Sequence, residues 1–295
     1  MRAHRPTPEL PAHLEELYRR FPLERSLAHD PLGLVRPLAT DRWHAEVAGI
    51  FAATLAVGNT TAIRSAFTDL VARSGGDLTA LVERAGRPGP DPGLEGFRHR
   101  WIRSDQVGYL ARRLHAVSRE EGSLESAFLQ GFRGPSGFAG GLDALARALR
   151  GPSEGTDGIL APTGYRRLFP SPLEANRSAC KRLTLFVRWM VRTSYPDLGV
   201  WRDVPTDALR IPLDQHVYWI AYHLGLTRRR SRTWATVEEV TQALRRIDPA
   251  DPVRLDFVLC HTGISGDCPK RRDLSVCGAC AVRPDCRMWR GRGAA

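Results

Sequence analysis

Four of the six cysteines in this 295-residue chain crowd one short stretch: Cys268, Cys277, Cys280 and Cys286, in the spacing C-x8-C-x2-C-x5-C. Thiols gathered so closely constrain the fold more than any other feature, because they must either pair with one another or surround a metal. The amino-terminal stretch MRAHRPTPELPAH lacks the apolar core of a secretory leader. No run approaches the roughly 20 consecutive apolar residues that a membrane-spanning helix needs. A cytoplasmic protein with no membrane partner is the expectation, and in a reducing compartment clustered thiols point to metal rather than to disulfides. Four soft thiolates enclose either an iron-sulfur cluster or a tetrahedral zinc ion. Structural zinc more often uses two separated pairs of ligands, whereas this quartet holds one C-x2-C pair and two isolated outer cysteines. The reading is a [4Fe-4S] cluster, with zinc as the alternative. Lys270, Arg271 and Arg272 lie in the first loop between the cysteines, so a metal that orders the loop also orders a cationic ridge able to meet phosphates. A merely solvated charge run is the plainer reading of those three.

The excess of 43 Lys and Arg over 32 Asp and Glu, a formal charge of +11, suits a polyanionic partner. Charge does not choose among DNA, RNA and an acidic membrane surface. Apolar residues recur at helical spacing over 45–57, 61–73, 105–118, 123–132, 141–149, 179–192, 214–224, 236–247 and 252–262, and sustained strand-like alternation is absent. Glycine and proline concentrate in 86–96 and 151–172, which read as loops. The expected fold is all-α in two helical lobes. Residues 1–45 form an amino-terminal segment that packs with the carboxy-terminal lobe. Residues 46–199 form one lobe, and 200–295 the other, with the cluster loop at 268–286. Thr236 with Glu239 has a capping-box pattern, Asp251-Pro252 reads as the start of a helix, and Gly263 as its stop. Asp214 precedes the helix 215–224 as its N-cap, where backbone amides and the helix dipole favour a carboxylate; most Asp residues so placed are structural caps. Asn176 or Ser178 would cap the helix containing Lys181, whose first turn disfavours an ammonium ion. Cys180 and Cys260 read as small buried hydrophobes. Trp189, Trp201, Trp219 and Tyr165 have the aromatic faces to stack on a base, but such residues are usually core.

A cysteine quartet after a helix, preceded by Pro212-Leu213-Asp214-Gln215-His216-Val217, resembles the endonuclease III branch of the helix-hairpin-helix (HhH-GPD) DNA glycosylases. SACKRLTLFVRWMVR, IPLDQHVYWIAYHLGLTRRR, AEVAGIFAATLAVGN, GFRHRW and GSLESAF look still more like a bacterial branch of that superfamily known as a domain of unknown function. The resemblance implies a base-excision repair enzyme acting on double-stranded DNA with a damaged base. Asp214 matches the aspartate that stabilises positive charge on the sugar, and Lys181 the lysine that attacks the sugar and then acts as an AP lyase through a Schiff base. Asn59 matches the residue that fills the gap left by an extruded base, with Arg182 and His216 as contacts to the DNA backbone. A monomer without nucleotide cofactor is expected. Two departures stand out. The glycine-rich hairpin expected before the lysine is replaced by LFPSPLEANRSA, and the interval from Lys181 to Asp214 is longer than in endonuclease III, as in the archaeal 8-oxoguanine glycosylases. The long interval favours an oxidised base. The missing hairpin keeps two alternatives open: a non-catalytic iron-sulfur nucleic-acid-binding protein on the same scaffold, or an RNA-directed protein.

Overall fold

A computed structural model describes residues 6–87, 89–152, 160–175 and 178–290. Asn176, considered above as a helix cap, lies outside them. Among the described residues the chain is mostly helical. The first helices are α1 (Leu10–Arg20), α2 (Leu23–Leu27), α3 (Pro31–Val35), α4 (Arg42–Leu55), α5 (Thr60–Arg73) and α6 (Leu78–Arg84). A two-stranded antiparallel hairpin follows, β1 (Arg98–His99) and β2 (Ile102–Arg103), with His99 opposite Ile102. Then come α7 (Ser104–Glu120), α8 (Leu124–Phe132), α9 (Gly137–Arg150), α10 (Lys181–Val191) and α11 (Gln215–His223). The last are α12 (Trp234–Arg245), α13 (Asp256–Ile264) and α14 (Leu274–Cys277). No helix among the described residues is long and apolar enough to cross a membrane.

Each of the nine expected helices has a counterpart, because a 3.6-residue apolar period is the local record of one buried face. The hairpin and the short helices lack that record: α1 buries only Leu10 and Leu14, and the strands have two residues each. Three end signals misled. The helix α12 starts two residues before Thr236, and Glu239 turns away from the helix end to accept from Thr227 Oγ1 (3.1 Å) and the Arg228 amide (3.2 Å). Asp251 caps only a turn, through the Val253 amide, and α13 begins at Asp256. Gly263 does not stop α13 but lies inside its last turn, where a Cβ would come within 2.6 Å of the His216 Cβ. It is a glycine because α11 and α13 approach each other there.

The chain divides into two compact units. One comprises Met1–Ser26, Arg177–Lys181 and Thr206–Ala295; the other Leu27–Asn176 and Arg182–Pro205. Within the first, α1 is latched by Glu15 to Arg254 (2.8 Å), by Arg254 over the Tyr18 ring, and by Phe21 edge-on to Phe257. The second is built around α4, whose Glu46 is fully buried. Its carboxylate accepts from the amides of Leu124 (2.9 Å) and Glu125 (3.2 Å) at the start of α8 and from Trp201 Nε1 (2.7 Å). Burial pushes the Glu46 carboxyl above its ordinary range, against those hydrogen bonds. Trp189, Trp201 and Tyr165 are core residues here, almost wholly out of solvent, and only Trp219 of the four aromatics singled out is exposed.

Candidate metal centre and the helix beside it

The cluster loop begins where α13 ends. The Cys268 amide donates to Thr262 O (3.0 Å), and at the far end the Arg287 amide donates to His223 O (2.8 Å), the last residue of α11. Both neighbours of the loop are therefore core helices of the same unit. Between these anchors Asp273 caps α14 through the Ser275 amide (3.1 Å), which fixes the approach to Cys277. Asp285, fully buried, accepts from Thr7 Oγ1 and shares 2.6 Å with His13 Nδ1, so the residue before Cys286 is held by the amino-terminal helix. Sequence spacing had no means of finding Asp285, whose partners lie more than 270 positions away.

Cys268, Cys277, Cys280 and Cys286 all line one cavity of about 50 Å³, with Leu17, Ile220 and Val282 among its apolar walls. Burial pushes the Cys268, Cys280 and Cys286 thiols above their ordinary range, and each is pushed further by neighbouring cysteines of the quartet. A bound metal cation would favour the thiolate form instead. Among the described residues no three His, Cys, Asp or Glu side chains are gathered as one metal ion would require. A tetrahedral zinc with bonds of about 2.3 Å would bring its sulfurs to about 3.8 Å from one another. An iron-sulfur cube holds its four cysteines apart by the width of the cluster. Four cysteines around one cavity are a donor set that either an iron-sulfur cluster or a zinc ion would use.

The cationic residues of the loop divide. Lys270, in the left-handed region at φ 58°, sends Nζ to 3.5 Å from His216 Nδ1. Arg272 donates to Met288 O and lies over Trp289, where Arg283 also packs. Arg271 is exposed.

At the start of α11, two residues before the His216 ring that Lys270 approaches, stands Asp214. It has the extended backbone of an N-cap, and Oδ1 accepts from the amides of His216 and Val217, both at 2.8 Å. Its second oxygen receives the Cys260 thiol at 3.3 Å. Cys260 is thus half-buried on α13 and aimed at a carboxylate, not an inert filler; only the packing of α13 on α11 discloses it. His216, two residues further, is pressed against Gly263. Burial lowers its imidazole below the ordinary range; Asp214 opposes this, while Lys270 and Lys181 reinforce it. Asp214, Lys270 and Lys181 therefore all act electrostatically on one ring. Lys181 is the first residue of α10, and Cys180 before it is held in the left-handed region at φ 51°, its amide donating to Ser178 Oγ (3.2 Å). Non-glycine residues in that region cost about 1–3 kcal/mol and cluster at sites where geometry matters.

Two of the residues singled out belong to the other unit. Asn59 is exposed and caps α5 by accepting from the Ala62 amide (2.8 Å). Arg182 directs Nη1 to Leu168 O (3.2 Å).

A family model described as a protein of unknown function (DUF2400) matches residues 30–265. No curated protein and no solved structure matches the chain.

Proposed function

The chain belongs to the DUF2400 family, and from its own residues we propose that it is a DNA base-excision glycosylase with AP-lyase activity, of the helix-hairpin-helix type. One observation carries the reading: a carboxylate, Asp214, caps a helix while Lys181 and Lys270 bear on the His216 ring beside it. Breaking an N-glycosidic bond puts oxocarbenium character on the sugar, and a fixed anion next to it lowers that barrier. Lys181, after losing a proton, supplies the amine that bonds to the anomeric carbon. The bond from that carbon to the base breaks, its electron pair leaves with the base, and the base takes up a proton. Ring opening gives a Schiff base, and loss of a 2′ proton then expels the 3′ phosphate. Beside Gln215 a cavity of about 320 Å³, lined by Tyr218, Trp219, Arg230 and Arg232, offers aromatic and guanidinium faces of the kind an extruded, oxidised base would stack on.

Cys268, Cys277, Cys280 and Cys286 would hold a [4Fe-4S] cluster. When bound, it cross-links the loop that carries Lys270, and its contribution is to folding. A Cys277→Ser, Cys280→Ser protein is expected to lose bound iron and visible absorption and to melt on the order of 10 °C lower. Unchanged melting would overturn the structural role, and zinc in place of iron would select the other metal.

The test of the enzyme is borohydride trapping of anaerobically purified protein on duplexes bearing an abasic site, 8-oxoguanine, thymine glycol or uracil. A covalent adduct is expected, and Lys181→Gln is expected to abolish it. A second reading has its own observation: residues 165–175 before Lys181 form a short 3-10 helix and turns, with no glycine hairpin. Salt-sensitive binding to DNA without adduct or cleavage on any duplex would favour a non-catalytic iron-sulfur binding protein. Preference for a matched RNA would favour an RNA-directed one.

A further inference from the structure

The second unit carries a cavity of about 530 Å³ lined by Trp101, Arg103, Gln106, Thr163, Gly164, Arg167 and Arg182. Its size falls in the range of pockets that hold small ligands. Three guanidiniums line it and, among the described residues, no carboxylate does. Arg103 is already paired with Asp105 (3.2 Å) just outside the lining. Arg167 is exposed, with no ion-pair partner among the described residues. Arg182 is largely enclosed: Nη1 reaches Leu168 O, and its buried Nε has no hydrogen-bond partner among the described residues. Burial lowers its affinity for a proton, a penalty that an anion in the cavity would relieve. With Arg103 compensated, two positive charges remain, which matches a phosphate monoester, of charge near −2, better than a singly charged diester.

The hairpin that carries the aromatic face is anchored. Trp101 is 56% exposed at the tip of the hairpin, in a two-residue loop whose first residue, Arg100, is left-handed at φ 55°. The base of the hairpin is anchored: Ile102 is buried and His99 Nε2 lies 3.0 Å from Val57 O. An indole in the open beside arginines is a stacking surface for a base. Gln106, whose amide nitrogen donates to Thr163 O (3.1 Å), braces the opposite wall.

We infer that this cavity is a binding site for a nucleoside 5′-phosphate, its phosphate among Arg103, Arg167 and Arg182 and its base on Trp101. The same chemistry is offered by the 5′-phosphorylated end of a nucleic-acid strand and by a free nucleoside monophosphate. The site does not depend on the glycosylase reading.

Binding of undamaged fluorescent oligonucleotides to the full chain tests it, comparing one sequence with a 5′-phosphate and with a 5′-hydroxyl. The phosphorylated strand is expected to bind at least about tenfold more tightly. Arg167→Glu is expected to erase the preference and Trp101→Ala to weaken phosphorylated-strand binding about tenfold. Both side chains are exposed, so folding is preserved and can be verified by melting. Competition by deoxynucleoside monophosphate at concentrations where inorganic phosphate does not compete would support the base contact and admit the free nucleotide as occupant; competition by neither would restrict the site to strand ends. Equal affinity for the two strands, or a preference that survives Arg167→Glu, would overturn the site. Equal competition by inorganic phosphate and nucleotide would overturn the stacking role of Trp101.

Discussion

Replacing Asp214 by asparagine is expected to leave the fold intact and to slow base excision about 10²–10³-fold, the usual effect of removing one fixed group that stabilises charge in a transition state. The asparagine carbonyl can still accept from the His216 and Val217 amides, so the cap on α11 survives. What disappears is the negative charge, together with the acceptor that now faces the Cys260 thiol. The effect should also divide by substrate. An abasic site already presents an aldehyde, so Schiff-base formation there needs no glycosidic bond to break. Trapping of abasic duplexes by Asp214→Asn is therefore expected to fall far less than excision of a damaged base, whereas Lys181→Gln removes both. Single-turnover excision beside abasic trapping reads this out. An undiminished excision rate in a folded Asp214→Asn protein would remove the carboxylate from the mechanism.

Asp197→Ala is expected to destabilise the second unit by about 3–5 kcal/mol, the cost of stranding buried charge when one partner of an ion pair is removed. The Asp197 side chain is fully buried. One oxygen accepts from Arg188 Nε (3.2 Å) and Nη2 (2.8 Å), the other from Arg192 Nη1 (3.1 Å), and both arginines are themselves nearly out of solvent. The alanine protein would lose the carboxylate that these two enclosed guanidiniums share. Arg188 belongs to α10, the helix that Lys181 begins, so adduct formation should fall together with stability although Lys181 is untouched. Urea unfolding of Asp197→Ala measures the loss. A change below about 1 kcal/mol would mean that water reaches the pair and that it is an ordinary surface bridge.

Both expectations hang on residues whose legibility differs. Asp214 as a helix cap was readable, since a cap is settled by the four residues around it. So were the apolar stripes of α4, α5 and α7 through α13. Asp197 was not, because nothing near it in sequence announces that two arginines of one helix end will turn inward. Gly263 was read locally as a stop and proved to be a contact with His216; the local signal for a helix end and the demand for close packing are both met by glycine. Arg182 carried a charge suited to phosphate, but its enclosure beneath Leu168 O and its company with Arg103 and Arg167 come from three separate segments.

The amino-acid sequence alone therefore determined what acts over one or two helical turns: where helices run and which residue caps α11. The tertiary structure alone decided which distant groups meet: Asp285 with Thr7 and His13, Cys260 with Asp214, Lys270 with His216, and the arginines around the 530 Å³ cavity. The reason is one of range. Periodicity and capping are encoded in neighbouring side chains, whereas the partner of a buried charge is chosen by how whole helices pack to exclude water, and that choice is spread over the entire chain.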